Sequence, residues 1–473
     1  MSAEARATAR IGLMSFSDGR QRVHESLRPQ IQEYQDRVEE MIRKAGAEPV
    51  VAEEIAWSPR RAVREAKRLL SQDIAAVVFN ISVFSFPSFA ALAARVLDKP
   101  VAILSAGEAG LPGMGGMLAA GGALHQMGMF EERIWGKFDS RDSQRKLETF
   151  IRGAAAAHGL EGQVYGQIGG RSIGMLTGVS SSPAEWLRIF GVDIDHADES
   201  EILRLAEEVD DAERARIVDW LESSVREVQY AEGTKLTRQN LEYQAATAAA
   251  VKRLAREREF DFVGIKCHFA LSEYYCTQCL SAAFLPSLID WDGRKAPMVC
   301  ACEADGDGAL TMQILQLISG FPALFLDLRH YEVESGYWVL CNCGGQSVYY
   351  SQRSDEPEEN LKSVDLVPVI PKYGGVGAHV RYIGCEGEMT FARILHDDKE
   401  PSLIAFRGEA VPGQEAWLEK SCPAWPHIYA SIDADHEELL THLHANHVHA
   451  VAGDWMDELE MFARLTGIPF KAL

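Results

Sequence analysis

Two doubly wound (flavodoxin/Rossmann-like) α/β domains followed by a β-rich, barrel-like C-terminal domain is the fold class this sequence predicts, and three observations predict it. The first third alternates short apolar strands with amphipathic helices, the second third repeats that alternation, and beyond Asp327 the chain turns to short apolar runs broken by Gly, Pro and acidic turns. We place the domains at residues 1–165, 166–325 and 326–473. A chain of 473 residues is too long for one ordinary core, and 47% hydrophobic residues let each unit bury its own.

In chain order, Ile11 to Met14 and Pro49 to Val51 read as strands around a long amphipathic helix from Glu25 to Gly46, with Ala75 to Asn80 and Val101 to Ser105 as later strands. That is the pattern of a parallel sheet with crossover helices. The Gly- and Ala-rich stretch Gly110 to Gly128 covers the sheet's edge or leads into a helix, and charged helical sequence from Arg141 to His158 approaches a boundary. The second unit opens with Ser172 to Leu176 as a strand and runs through acidic helices from Ser200 to Glu232. A helix reaching Glu259 and a strand from Phe262 to Lys266 follow. In the last unit Tyr337 to Leu340, Ser347 to Tyr350 and Ser402 to Arg407 are short apolar β runs, and a helix near Asp454 to Thr466 ends at Gly467.

Composition narrows the function. The 47 basic and 69 acidic residues give a net charge of -22, which repels phosphate backbones and anionic bilayers, so neither nucleic acid nor membrane is an expected partner. Met1 to Arg10 lacks the pattern of a signal peptide and no apolar run is long enough to span a bilayer, so the expectation is a soluble, cytoplasmic protein. Nine cysteines, an odd count at low density, point to reduced thiols rather than a disulfide scaffold. Cys276 and Cys279 form a CxxC and Cys300 and Cys302 a CxC, a spacing zinc uses, but Met298 to Cys302 reads as a buried strand and the structural reading is preferred. The glycines from Gly110 to Gly122 are too irregular for a dinucleotide loop and suit packing or a tight turn. Phe84, Phe86 and Phe89 suit a core or subunit interface better than a sugar-stacking platform.

The densest chemical signal is Pro297-Met-Val-Cys-Ala-Cys-Glu303-Ala-Asp305-Gly-Asp307-Gly, followed by a helical stretch from Ala309 to Ser319 and an apolar run ending at Asp327. Read as strand, helix, strand, it is one crossover unit with Glu303 and Asp327 at the carboxyl ends of two parallel strands, where open α/β sheets bind ligands. Carboxylates so placed are costly to desolvate unless a cation neutralises them, and a hard divalent ion takes oxygen ligands. From spacing alone, two solvated loop carboxylates fit equally well. The segment Thr441 to His449 gathers four imidazoles, His442, His444, His447 and His449, without saying which of them would bind a metal.

These pieces together resemble the L-fucose isomerase family. Ile289-Asp-Trp-Asp-Gly293, Pro297 to Met312 with Glu303, and Leu326-Asp327-Leu-Arg329-His-Tyr331 are similar to its metal-site region, including the separation of Glu and Asp ligands. Ala445-Asn446-His447 with Gly467-Ile468-Pro469, Asp18-Gly19-Arg20, and Gly169-Gly170-Arg171-Ser172-Ile-Gly174-Met175 resemble further family motifs, so the match runs from the first strand to the last helix. The chain is shorter than a typical family member, and the family's Gln-rich segment stands here as Lys266-Cys-His268-Phe-Ala-Leu-Ser272.

What the resemblance implies is a metal-dependent aldose-ketose isomerase acting on an open-chain sugar, such as L-fucose or D-arabinose, through a cis-enediol. Glu303, Asp327 and His447 would hold Mn²⁺ or a similar ion such as Mg²⁺ or Co²⁺, with Glu303 and Asp327 doubling as acid and base. Arg20, Arg171, Ser172, Lys266, His268 and Asn446 are the expected substrate-binding residues, and a three-domain, hexameric subunit is implied as well. The alternatives are the same chemistry on an anionic or sulfonated hexose such as sulfoquinovose, and a non-catalytic sugar-binding protein of the same fold.

Overall fold

Strands buried on both faces must be apolar throughout, and Ala76–Asn80 and Val101–Ala106 are buried at every position because helices cover both sides of their sheet. In the computed structural model these two lie in a parallel five-stranded sheet of order Glu48–Val51, Arg10–Ser15, Ala76–Asn80, Val101–Ala106, Glu131–Gly136. That order, 2-1-3-4-5, is the flavodoxin-type doubly wound arrangement. The helix Gln21–Lys44 turns Ile31, Tyr34, Val38, Met41 and Ile42 inward, a stripe at helical spacing. The next helix, Pro59–Leu70, starts with Ser58 capping and Pro59 in the first turn. The glycine-rich stretch forms the helix Gly113–Gln126, where a Cβ on Gly116 would meet the Val83 carbonyl at 2.8 Å.

The structure describes residues 8–107, 112–177, 182–231, 233–397, 400–413, 415–419 and 421–473. Met1 to Ala7, Gly110 and Glu232, on which sequence expectations touched, lie outside them. The described chain forms two compact units, residues 8–159 with 457–466 and residues 160–456 with 467–473. The expected boundaries at 165 and 325 both fall inside strands, Val164–Ile168 and Leu324–Glu332.

The larger unit holds a parallel four-stranded sheet of order Cys300–Cys302, Phe262–Ile265, Val164–Ile168, Asp193–Ala197. It also holds a mixed, largely antiparallel sheet in which Gly387–Asp397, His447–Ala452, Leu324–Glu332, Tyr337–Cys341, His427–Ile432 and Glu400–Val411 pair in turn. Glu400–Val411 pairs back onto Gly387–Asp397, so these six strands close into a barrel. One barrel face, with Leu324, Leu326, Leu340, Phe391, Phe406, Val448 and Ala450, joins the largest hydrophobic core of the unit.

Three local expectations are corrected. Glu303 and Asp327 do not end two parallel strands of one crossover unit. The strand after the helix belongs to the barrel and pairs antiparallel with both Tyr337–Cys341 and His447–Ala452. Its hairpin partner follows after a short turn with Gly336 at φ 73, and that local pairing captures the strand. Ser172 to Leu176 is not a strand but a turn in which Ile173 and Leu176 are exposed; the strand is Val164–Ile168. Ser347 to Tyr350 is not a β run either, since Val348–Ser351 is a 3-10 turn whose apolar side chains are simply buried.

Candidate active site

The strand Cys300–Cys302 stops because Glu303 and Ala304 adopt left-handed backbone, φ 59 and 51. Two consecutive non-glycine residues there cost roughly 1–3 kcal/mol each, a strain that surrounding structure must hold in place. The sharp turn makes Asp305 the N-cap of the helix Gly306–Ser319, its carboxylate accepting from the Gly308 N–H at 2.8 Å. That helix lies against the strands His447–Ala452 and Gly387–Asp397. Gly308 permits the approach, for a Cβ there would sit 2.7 Å from His449 Nε2.

The barrel supplies the remaining groups by strand alternation. Asp327 stands directly across from His447, and Phe325 across from His449, while Leu324, Leu326, Val448 and Ala450 turn to the core. His447 Nδ1 donates to Asp305 Oδ2 at 2.7 Å. This leaves Nε2 facing Glu303 Oε2 at 3.7 Å and Asp327 Oδ1 at 3.5 Å. Asn446 Nδ2 donates to Asp327 Oδ1 at 3.1 Å, and His268 Nε2 lies 3.7 Å from Glu303 Oε1. Asp305 is in turn held by both terminal nitrogens of fully buried Arg393, at 2.6 and 3.0 Å, and Arg393 also donates to His449 Nε2 at 2.9 Å.

Burial pushes the Glu303 carboxyl up to about 6, reinforced by the Asp327 and Asp305 charges and opposed by His447. Burial works against the charged imidazole of His447, but its hydrogen bond to Asp305 and the charges of Asp305, Asp327 and Glu303 outweigh burial and raise its pKa. Burial alone would raise Asp305, yet the Arg393 guanidinium and His447 hold it far below the usual carboxylate range. Two carboxylates thus face a nitrogen lone pair, which is favourable only with a positive charge between them. A proton on His447 supplies one, and a divalent cation is the other group that fits.

The donor chemistry fits a hard or borderline ion. Separations of 3.5 and 3.7 Å from the nitrogen are those of neighbouring ligands sharing one ion about 2.1 Å from each. The hydrogen bond from Nδ1 to Asp305 is the usual means of fixing a ligand histidine's tautomer and ring. A second, more compact donor set shares Glu303: His268, Glu303 and Cys343 place one ligand atom each within 4.8 Å of one another. For an ion that prefers oxygen and nitrogen, the set with Asp327 and His447 is the better match, because Cys343 offers a soft sulfur held as the thiol by its contact with Cys302 and by burial.

The other expected substrate residues divide. Ser172 is buried and its hydroxyl donates to the His268 carbonyl at 3.4 Å, beside the site. Asn446 and His268 are at the carboxylates. Lys266 pairs with Glu199 at 3.2 Å, and Arg171 is exposed. Arg20 belongs to the smaller unit, where it forms a two-pronged bond with Asp18 at 2.9 and 2.7 Å. Sequence reading gave no role to Asp305, Arg393 and Cys343, and held His449 only as one of four imidazoles. Asp305 carried a signal in its N-cap position ahead of the helix, whereas nothing local distinguishes Arg393 in an apolar strand. Cys279 of the CxxC and Cys300 and Cys302 of the CxC line one small cavity with Cys343, but their side chains contact other groups: Cys302 lies 3.4 Å from Cys343, and Cys279 contacts His379 at 3.2 Å.

A family model for the first N-terminal domain of L-fucose isomerase matches residues 8–162, and one for the L-fucose isomerase C-terminal domain matches residues 340–473. Glu303 and Asp327 lie between the two matches and His447 inside the second. The L-fucose isomerase of Shigella dysenteriae serotype 1 (strain Sd197) is 23% identical over 215 residues, 40% of this chain and 36% of that protein. The sulfoquinovose isomerase of Alkalicoccus urumqiensis is 29% identical over 115 residues, 24% of each chain. The chain therefore aligns with about a third and a quarter of the length of these two relatives. Among solved structures, a periplasmic solute binding protein of an ABC transporter from Actinobacillus succinogenes 130z, with bound D-allose, is 11% identical and covers 56% of this chain and 80% of its own. Its TM-score of 0.17 is too low to show a shared fold.

Proposed function

Because the chain belongs to the L-fucose isomerase family, we propose that it is a metal-dependent aldose-ketose isomerase that moves a proton between C1 and C2 of an open-chain sugar through a cis-enediol. The observation that carries this reading is the convergence of Glu303 Oε2 and Asp327 Oδ1 on the Nε2 of His447, at 3.7 and 3.5 Å. Glu303, Asp327 and His447 would hold the ion, Mn²⁺ or a close equivalent such as Mg²⁺ or Co²⁺. When bound it would polarise the sugar carbonyl and lower the barrier to enolisation.

The chain's own residues do the rest. Glu303, buried with its Oε2 toward His447, is the carboxylate placed to take and return the proton. Asp327 is the second carboxylate of the pair, oriented by Asn446. Asp305 keeps His447 in the tautomer that presents Nε2. His268, bonded through Nδ1 to Ser272 at 2.9 Å, presents Nε2 toward Glu303 and the sugar's hydroxyls. The family further supports a hexamer of three-domain subunits, to which Arg20 would contribute, and a cytoplasmic location; no described helix is long and apolar enough to cross a membrane.

A second substrate class, an anionic or sulfonated hexose, is favoured by Lys372. The charge of this exposed side chain pulls weakly against the burial that raises Glu303 and adds to the burial that lowers His268, and it makes no ion pair among the described residues. A relative acting on sulfoquinovose supports the same reading. Lys372→Gln is expected to raise KM for sulfoquinovose at least about tenfold, some 1.4 kcal/mol, and to leave KM for L-fucose within about twofold.

The test is an isomerisation assay on protein stripped with chelator and reloaded with Mn²⁺, across L-fucose, D-arabinose, L-arabinose and sulfoquinovose. Ketose formation that requires the metal is the expected result. Metal binding without turnover of any sugar would leave a sugar-binding protein, and no metal binding would sink the proposal.

A further inference from the structure

Cysteine side chains gather on one side of Glu303. Cys302 Sγ and Cys343 Sγ are 3.4 Å apart, Cys343 Sγ is 4.0 Å from Glu303 Oε1, and His268 Nε2 is 3.7 Å from that same oxygen. The two oxygens of one carboxylate thus face different surroundings, Oε2 the His447 and Asp327 pair and Oε1 the thiols and His268. The thiol pair is far from accidental in its mountings. Cys302 ends the parallel strand, and Cys343 sits where Asn342 fixes the loop by accepting from the Cys343 N–H at 2.7 Å. Cys343, His268 and Glu303 place one ligand atom each within 4.8 Å of one another, and Cys302 Sγ stands 3.4 Å from Cys343 Sγ, close to the roughly 3.8 Å between two sulfurs that each sit about 2.3 Å from one zinc.

We propose that Cys302, Cys343, His268 and Glu303 form a second, thiophilic metal site that takes Zn²⁺ or Cd²⁺ and thereby ties up Glu303. Binding one divalent ion displaces the two thiol protons, leaving Cys302 and Cys343 as thiolate ligands, with His268 Nε2 and Glu303 Oε1 completing the four. The site then distinguishes metals by softness. Mn²⁺ and Mg²⁺ are drawn to the oxygen-rich side of Glu303, whereas thiophilic ions are drawn to the sulfur side and hold the carboxylate away from proton transfer. Binding does not depend on the isomerase reading; only the resulting inhibition does.

The experiment titrates Cd²⁺ into the full, metal-stripped chain while following thiolate-to-cadmium absorption in the ultraviolet and proton release in weak buffer. The expected result is a band that saturates at one equivalent with two protons released. It should fall by at least half in Cys343→Ser and disappear in Cys302→Ser/Cys343→Ser. Addition of Cd²⁺ to the Mn²⁺-loaded protein should cut isomerase turnover at least tenfold, and less than twofold in the double variant. No band at one equivalent, or an undiminished band in the variants, overturns the proposal. If the double variant does not fold by circular dichroism, Cys343→Ser alone decides, because that residue is only partly buried. A protein that shows the band but isomerises no sugar loses the isomerase reading and keeps the thiophilic site.

Discussion

The two sheets of the larger unit bring groups to the same place by different rules. The parallel sheet delivers Glu303 beyond the end of a strand, on two residues of left-handed backbone, where the side chain is buried but its backbone is strained. The barrel delivers Asp327 and His447 from paired strands, His447 at the first residue of its strand, directly opposite one another and with left-handed backbone at neither residue. The difference teaches that the barrel half is rigid by hydrogen-bonded register, while the Glu303 half depends on what grips the turn behind it. That grip is Asp305, which at once caps the helix, pairs with Arg393 and orients His447.

If both sheets serve one site, removing a group from either should do the same damage. Glu303→Gln and His447→Ala are each expected to fold and to lose about a thousandfold or more in kcat, about 4 kcal/mol of barrier, in steady-state isomerase assays. Full activity in either variant would separate the two halves. Next in size is the grip itself. Asp305→Ala leaves the Arg393 charge buried without its partner and should cost about 3–5 kcal/mol in urea unfolding. Asp327→Ala, at a side chain 21% exposed, should cost less than half of that. Equal losses would contradict the contrast between turn and strand.

The Glu303 turn also carries a pH signature in metal-free protein. Its folded pKa of about 6 lies above the ordinary 4.5, so its favourable contribution is fully present below pH 4.5 and is lost as pH rises through about 6. Glu303→Gln is therefore expected to be more stable than the parent by about 2 kcal/mol at pH 7.5, with the gap closing below pH 4.5 in thermal or urea melts. A pH-independent difference would mean that burial is not what raises this carboxyl. The smallest effect belongs to the barrel half: Asn446→Ala removes one hydrogen bond to Asp327 and should weaken Mn²⁺ binding about tenfold, read by calorimetry.

The contrast between the sheets also explains what could be read from the chain. The parallel architecture was legible because strands buried on both faces are written as apolar runs such as Ala76–Asn80, with capped helices between them. Glu303 was legible as an acid closing such a run. The pairing partner of Asp327 was not, because strand, helix, strand is written alike whether the second strand rejoins its sheet or is captured by a following hairpin. Asp327 was legible as the acid ending the next apolar run and His447 was singled out by family resemblance, but the antiparallel register that sets them opposite each other is a property of pairing, invisible in either segment alone. Arg393 left no trace, since its charge is answered by Asp305, 88 residues earlier. Ser172 to Leu176 misled for the opposite reason, as its apolar residues are exposed in a turn.

The claim that the two halves make one metal centre is tested most directly by titrating Mn²⁺ into the chelator-stripped protein by calorimetry, alongside Glu303→Gln, Asp327→Asn and His447→Ala. The account expects one ion per chain and a loss of affinity of at least about tenfold in every one of the three variants. Unchanged affinity in any of them, or no binding by the parent protein, would contradict it.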